Sequence, residues 1–232
     1  MTEKQQKQLF IQKAVMEVME ENLSKWQSVK ELKKKYDLFV RNIKKIDDYD
    51  TILRTDFAPL KEKKAISKKE LVGKVFPVTS VLGVFACDNG DKKMGKLANV
   101  KFSELEKMKH NALVKYSTRV LKISGPLIEQ NPEAGEKTTK HVIADYGLTS
   151  KHLDDLKTAK DNSIRDEAAY AEIRLRKKKS KAKLERRIRD NNTLLKKKLD
   201  RMMHLFSDSQ KSFYSAYIKS RIPAEKRPPA SD

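Results

Sequence analysis

From Ser150 to Phe206 the chain runs 57 residues without a proline or a glycine. Those two residues are the strongest punctuation a sequence has, so nothing in this stretch obliges a helix to stop. Its second half carries Leu184, Ile188, Leu195, Leu199, Met202 and Phe206 within a narrow arc of a helical wheel, the pattern of an amphipathic helix. Either one rod of about 85 Å at 1.5 Å per residue results, or polar sequence hides a hairpin turn. The other helices read at about 20 to 28 residues, which the hairpin matches better, with 160–166 and 177–183 as its candidate turns.

The remainder has the same texture. A first helix spans about Glu3 to Glu21 through Leu9, Ile11, Val15, Val18 and Met19, and Asn22, Ser24 and Trp26 mark a corner. A second runs from about Gln27 to Leu53 through Val29, Leu32, Tyr36, Phe39, Val40, Ile43, Ile46 and Tyr49. A connection over 55–67 contains Pro59; Ser67 with Glu70 forms a capping box that opens a third helix, in which Pro77 predicts a kink or break. Asp88-Asn89-Gly90-Asp91 is a turn. Ser103 with Glu106 opens a fourth helix that Gly125-Pro126 disturbs and the loop 131–135 closes. A helical turn near 142–145 leads to Gly147 as a left-handed cap and Thr149 as the next N-cap. A short last helix spans about Gln210 to Arg221. No alternating pattern persists and no repeat is visible, so the expected fold is all-α: an elongated antiparallel bundle of about six helices with a short C-terminal helix. A single bundle domain over 1–222 and a disordered polar tail over 223–232 are expected.

With 7 Gly and 7 Pro, 38% apolar and 36% charged residues, the composition suits thin helical bundles rather than a deep-cored α/β enzyme. One cysteine, Cys87, allows neither an internal disulfide nor a CxxC motif, and its apolar neighbours predict a buried thiol. The first residues are polar, and the most apolar window, 75–87, falls short of the ~20 residues that cross a bilayer. A cytoplasmic protein without a membrane partner is expected.

The order of landmarks resembles an uncharacterised family of all-helical bundle proteins common in Bacteroidetes bacteria. The resembling residues are Leu9 after a Gln/Lys-rich first turn, Asn22 and Trp26 at the first corner, and Lys74 on the third helix. Tyr146-Gly147-Leu148-Thr149, Leu199-Asp200, Phe213-Tyr214, Tyr217 and Arg221 complete the series. The resemblance implies a bundle of about six helices and carries no catalytic residues. The basic block 174–189 lies outside it.

Catalytic motifs are missing. The glycines form neither a P-loop nor GxGxxG, and GxSxG, HExxH and paired Glu-x-x-His are all absent. Glu106 with His110 and His141 with Asp145 are one-turn pairs; Asp200, His204 and Asp208 fall at i, i+4, i+8. Such a row suits a divalent metal in principle and an exposed Asp–His pair more simply. Phe206, Phe213, Tyr214 and Tyr217 have the spacing of a core stripe more than of a base-stacking platform.

What stands out is charge. Between Arg174 and Arg201 lie 14 Lys or Arg against Glu185, Asp190 and Asp200, so 14 − 3 leaves +11 of the chain's +20 in 28 residues. Lys177, Lys178, Lys179, Arg186, Arg189, Lys196 and Lys197 are the candidate polyanion-binding residues, reading a phosphate backbone without regard to sequence. The expected function is nevertheless a non-enzymatic all-helical interaction or scaffold protein of unknown protein partner, with a solvated lysine face; sequence-independent nucleic-acid binding through the basic helix 174–201 is the alternative. No enzyme activity, cofactor or metal is expected.

Overall fold

The computed structural model of the protein describes residues 1–129 and 142–222, and among these every regular element is a helix. The loop expected at 131–135, the tail 223–232 and His141 lie outside the described residues. In chain order the elements are α1 (Glu3–Glu21), α2 (Leu23–Trp26), α3 (Lys30–Arg54), α4 (Ala58–Asp88), α5 (Lys92–Ala98), α6 (Phe102–Lys107) and α7 (His110–Glu129). A 3₁₀ turn (Ile143–Tyr146), α8 (Ser150–Leu194), a π-helical turn (Leu195–Leu199), α9 (Asp200–Met203), a 3₁₀ turn (His204–Phe206) and α10 (Lys211–Ser220) follow.

There is no hairpin inside 150–206. Helix α8 runs through both candidate turns, and helical backbone continues to Phe206. Two causes act together: no breaker interrupts the stretch, and its Lys, Arg, Glu, Ala and Leu are good helix formers. Each end has its own covered face, with Leu156, Ala159, Ser163 and Asp166 buried early and Ser180, Leu184 and Ile188 buried later, at spacings of three or four within each set.

Where one bundle over 1–222 is expected from sequence, the chain gathers into two compact units. One takes Met1–Thr55 with the chain from Arg174 onward; the other takes Asp56–Ile173. In the first unit, α1, α3, the later part of α8 and α10 surround a core of Leu9, Val15, Met19, Leu32, Phe39, Ile43, Leu184, Ile188 and Leu195, among others. Thr2 and Gln5 cap α1 reciprocally: the Thr2 N–H donates to Gln5 Oε1 at 2.9 Å and the Gln5 N–H to Thr2 Oγ1 at 3.3 Å. Trp26 closes the first corner, fully buried, its Nε1–H donating to the Met19 carbonyl at 2.8 Å. At the other end of the chain, Asp200 accepts from Tyr217 Oη at 2.6 Å and from Arg221 Nε and Nη2 at 2.9 and 3.0 Å. That cluster fastens α10 to α9.

Three of the buried polar residues of this unit form one network. Gln12, Asn42 and Asn191 sit in register with the apolar stripes of α1, α3 and α8 and are buried. Asn42 Nδ2 donates to Asn191 Oδ1 at 2.8 Å. Asn191 Nδ2 donates to Gln12 Oε1 and to the Phe39 carbonyl, both at 3.2 Å. Gln12 Nε2 donates in turn to Asn192 Oδ1 at 2.9 Å. A buried network of this kind costs little when every member is satisfied, and it fixes the register of the helices that share it.

The second unit is built on α4, which supplies Leu71, Val72, Val75, Val78, Leu82, Phe85 and Ala86 to its core. The connection expected over 55–67 is helix instead. Pro59 sits in the first turn, where a missing N–H costs nothing, and Ser67 is an interior residue whose hydroxyl donates to the Lys64 carbonyl. Pro77 does not break the helix. The hydroxyls of Thr79 and Ser80 donate one turn back, Thr79 to the Val75 and Phe76 carbonyls and Ser80 to Phe76, while the carbonyl that Pro77 leaves without its helical donor is that of Gly73. By length and composition α4 could cross a membrane, but one face of it is the core of this unit. Small residues let α5 approach closely: a Cβ on Gly83 would lie 3.6 Å from the Ala98 Cβ. The expected fourth helix is split, because Met108 turns to ψ 139° between α6 and α7. Gly147, at φ 78°, is the left-handed cap expected of it. Cys87 is exposed, not buried: the core face of α4 passes through Leu82, Phe85 and Ala86, and residue 87 falls on the other side.

Candidate polyanion-binding face

In the first unit α8 shows its partners Leu184, Ile188, Asn191 and Leu195, all buried, and turns its remaining faces outward. Of the 14 cations between Arg174 and Arg201, twelve are exposed; Lys177 and Arg187 are half-buried. The six other candidate residues, Lys178, Lys179, Arg186, Arg189, Lys196 and Lys197, are all on the exposed side. Lys178 to Lys197 covers about 28 Å of helix at 1.5 Å per residue. Lys177 lies one position nearer the seam with the core and does not join them.

Acidic neutralisation along this face is slight. Arg186 and Arg187 reach Asp190 at 3.8 and 4.0 Å, and Arg187 also donates to Asn42 Oδ1 at 3.1 Å. Among the described residues, the other eleven exposed cations of the segment have no carboxylate within 4.0 Å. Lysines on α3 contrast with them: Lys34 and Lys35 are both tied to Glu31, at 2.7 and 3.7 Å. The Glu31 carboxyl is correspondingly held below its ordinary value by the Lys34 hydrogen bond and charge.

The π-helical turn shapes the distal end of the face. Leu195 and Leu199 both point into the core four residues apart. The wider turn between them fans Lys196, Lys197 and Lys198 outward together, all three exposed. The same turn shifts the register by one residue, so the side chain buried beyond it is Met203, with Met202 only partly covered. Sequence periodicity at 100° per residue misses both effects, and it also leaves Arg174, Arg176, Lys181, Lys183, Lys198 and Arg201 out of the candidate set although they are exposed.

Other candidate groups do not converge. Asp200 is engaged by Tyr217 and Arg221, and His204 Nδ1 lies 2.9 Å from Tyr214 Oη. The backbone becomes 3₁₀ at His204, so the i, i+4, i+8 row with Asp208 is not kept. Glu106 and His110 fall on different helices, and His110 Nε2 faces Ser163 Oγ at 3.1 Å. Phe206, Phe213 and Tyr217 are buried in the first core, Phe206 edge-on to Phe213 at 5.5 Å, and offer no stacking surface. A cleft of about 420 Å³ in the second unit is lined by Glu70, Gly73, Lys74, Pro77, Val78, His152 and Asp155. Three of its polar groups are engaged with one another or with a helix cap. Lys74 pairs with Asp155 at 2.9 Å, and His152 Nδ1 accepts the Thr149 N–H at 3.2 Å.

No protein-family model, curated protein or solved structure matches the chain.

Proposed function

We propose that this is a non-enzymatic, all-helical interaction protein. Its interaction face is the outer side of α8 and of the helical backbone that continues it to Arg201, and that face takes nucleic acid by the phosphate backbone, independently of sequence. One observation carries the reading: among the described residues, eleven exposed cations without a carboxylate partner lie along one unbroken stretch of helical backbone, whose later part is backed by the core residues Leu184, Ile188, Leu195 and Leu199. Flexible surface lysines scattered over several elements would lose entropy on every contact. A single helix fixes the backbone positions of its cations in one register, so less ordering remains to be done on binding. The buried seam of Leu184, Ile188 and Leu195 supports a binding role for the opposite side because it leaves that side free. The resemblance to a helical-bundle family fits an interaction module equally well and adds no chemistry of its own.

Binding of the full chain to a labelled DNA by fluorescence anisotropy tests this. The expected dissociation constant at about 150 mM salt is in the range 10⁻⁶–10⁻⁴ M typical of backbone binding, weakening steeply as salt rises. Replacing Lys178, Lys179, Arg186, Arg189 and Lys197 together by Gln removes up to five phosphate contacts. It should flatten the slope of log K against log salt by up to about 4 to 5. Retained binding and slope in a variant that keeps its helical circular dichroism would refute the assignment.

A further inference from the structure

The stretch of α8 from Arg174 to Arg186 is charged in a more particular way than a uniform basic face. At about 100° per residue, Arg174, Lys178 and Lys181 form one column. Arg176, Lys179, Lys183 and Arg186 form a second, about 150° away around the axis. Between the columns, on the crest farthest from the core, stand Leu175 and Ala182, both uncharged; Leu175 is 50% exposed. Glu185 interrupts the first column beyond Lys181. From residue 167 to 183 only Ser180 is buried, so this is the least covered part of the helix.

Resting on the reading above, we infer that residues 174–186 lie along the major groove of a B-form DNA duplex, the two cation columns meeting the phosphates of the two strands and the Leu175–Ala182 crest facing the groove floor. The dimensions agree: a helix with its side chains is about 10–12 Å across and the major groove about 12 Å wide. The segment is about 18 Å long, roughly five base pairs. A helix resting on one strand needs a single column of cations and gives its crest to that strand's charge, where Leu and Ala are poor residues. The uncharged crest instead suits base edges and thymine methyl groups. Single strands are bound with exposed aromatic platforms, and this face has none; the major groove of an RNA duplex is too deep and narrow for side chains to read.

The test compares a 20-base-pair mixed-sequence DNA duplex, one of its single strands and the equivalent RNA duplex, at equal phosphate concentration and about 150 mM salt. The DNA duplex should bind at least about tenfold more tightly than the other two. Ala182→Trp leaves every cation in place, on an exposed position, and blocks the crest. It should weaken duplex binding about tenfold, with single-strand binding unchanged. Equal affinity for the three nucleic acids, or a duplex affinity indifferent to Ala182→Trp, overturns the groove assignment and leaves backbone binding intact. Failure of all three to bind overturns both.

Discussion

Asn191→Ala should be among the most damaging single changes to the first unit, although the residue removed is polar. Asn191 is wholly buried and makes three hydrogen bonds, at 2.8, 3.2 and 3.2 Å. The Phe39 carbonyl keeps its place in the α3 ladder when Asn191 is lost. Gln12 Oε1 and Asn42 Nδ2 do not; both are stranded in the core, at about 1–3 kcal/mol each. A total of about 2–6 kcal/mol follows, a large share of the stability of an ordinary domain. At a urea dependence of about 1–3 kcal/mol per molar, the midpoint should fall by about 0.7 molar or more. The chain's one tryptophan is the natural reporter, because Trp26 is buried in this core, 4.8 Å from the Tyr36 ring. Its fluorescence follows the unfolding of the first unit alone. The triple variant Gln12→Leu/Asn42→Leu/Asn191→Leu should recover most of the loss, since it leaves no buried amide unsatisfied. Arg187, which loses its bond to Asn42, is one-third exposed and regains water. An Asn191→Ala variant within about 0.5 kcal/mol of the parent would refute the reasoning, and so would a triple variant no better than the single one.

Pro77→Ala should stabilise the second unit by about 1–3 kcal/mol. It restores the N–H that Pro77 withholds from the Gly73 carbonyl and removes the ring beside that carbonyl; higher amide-exchange protection across α4 is the measurement, and unchanged protection refutes it. Asp155 is held below the ordinary carboxylate range by its hydrogen bond to Lys74 and by that ammonium's charge. A depressed folded-state pKa stabilises above the unfolded value of about 3.9 and ceases to as pH falls through the lowered value. The Asp155 carboxyl carbon should therefore titrate at lower pH than a free aspartate, and Lys74→Met should bring most of that displacement back. An identical midpoint in the two proteins would show that the pair does not form in solution.

Much of this protein is decided by its sequence alone. The bounds of α1, the all-helical class, the turn at Gly90, the cap at Gly147 and the stripe through Leu184, Ile188, Leu195 and Leu199 all follow from local rules. Apolar spacing, N-cap chemistry and the left-handed freedom of glycine act over a few residues and need no partner. The basic character of the outer face of α8 is equally local, since once the apolar seam is placed the cations have only the other side to occupy.

Tertiary structure decided the rest. A hairpin and a continuous helix share one periodicity within 150–206, and the structure selects the continuous helix, with buried faces at both its ends and only Ser180 buried between residues 167 and 183. Gln12, Asn42 and Asn191 look like surface residues until three helices bring them together, because a buried amide is tolerable only when its partners arrive from elsewhere in the chain. The π-helical turn at Leu195–Leu199 is not written in the spacing, because residues four apart share a face of an ordinary α-helix as well. Cys87 is exposed because the direction in which a helix buries its stripe is set by what lies against it, and apolar neighbours in sequence carry no information about that side.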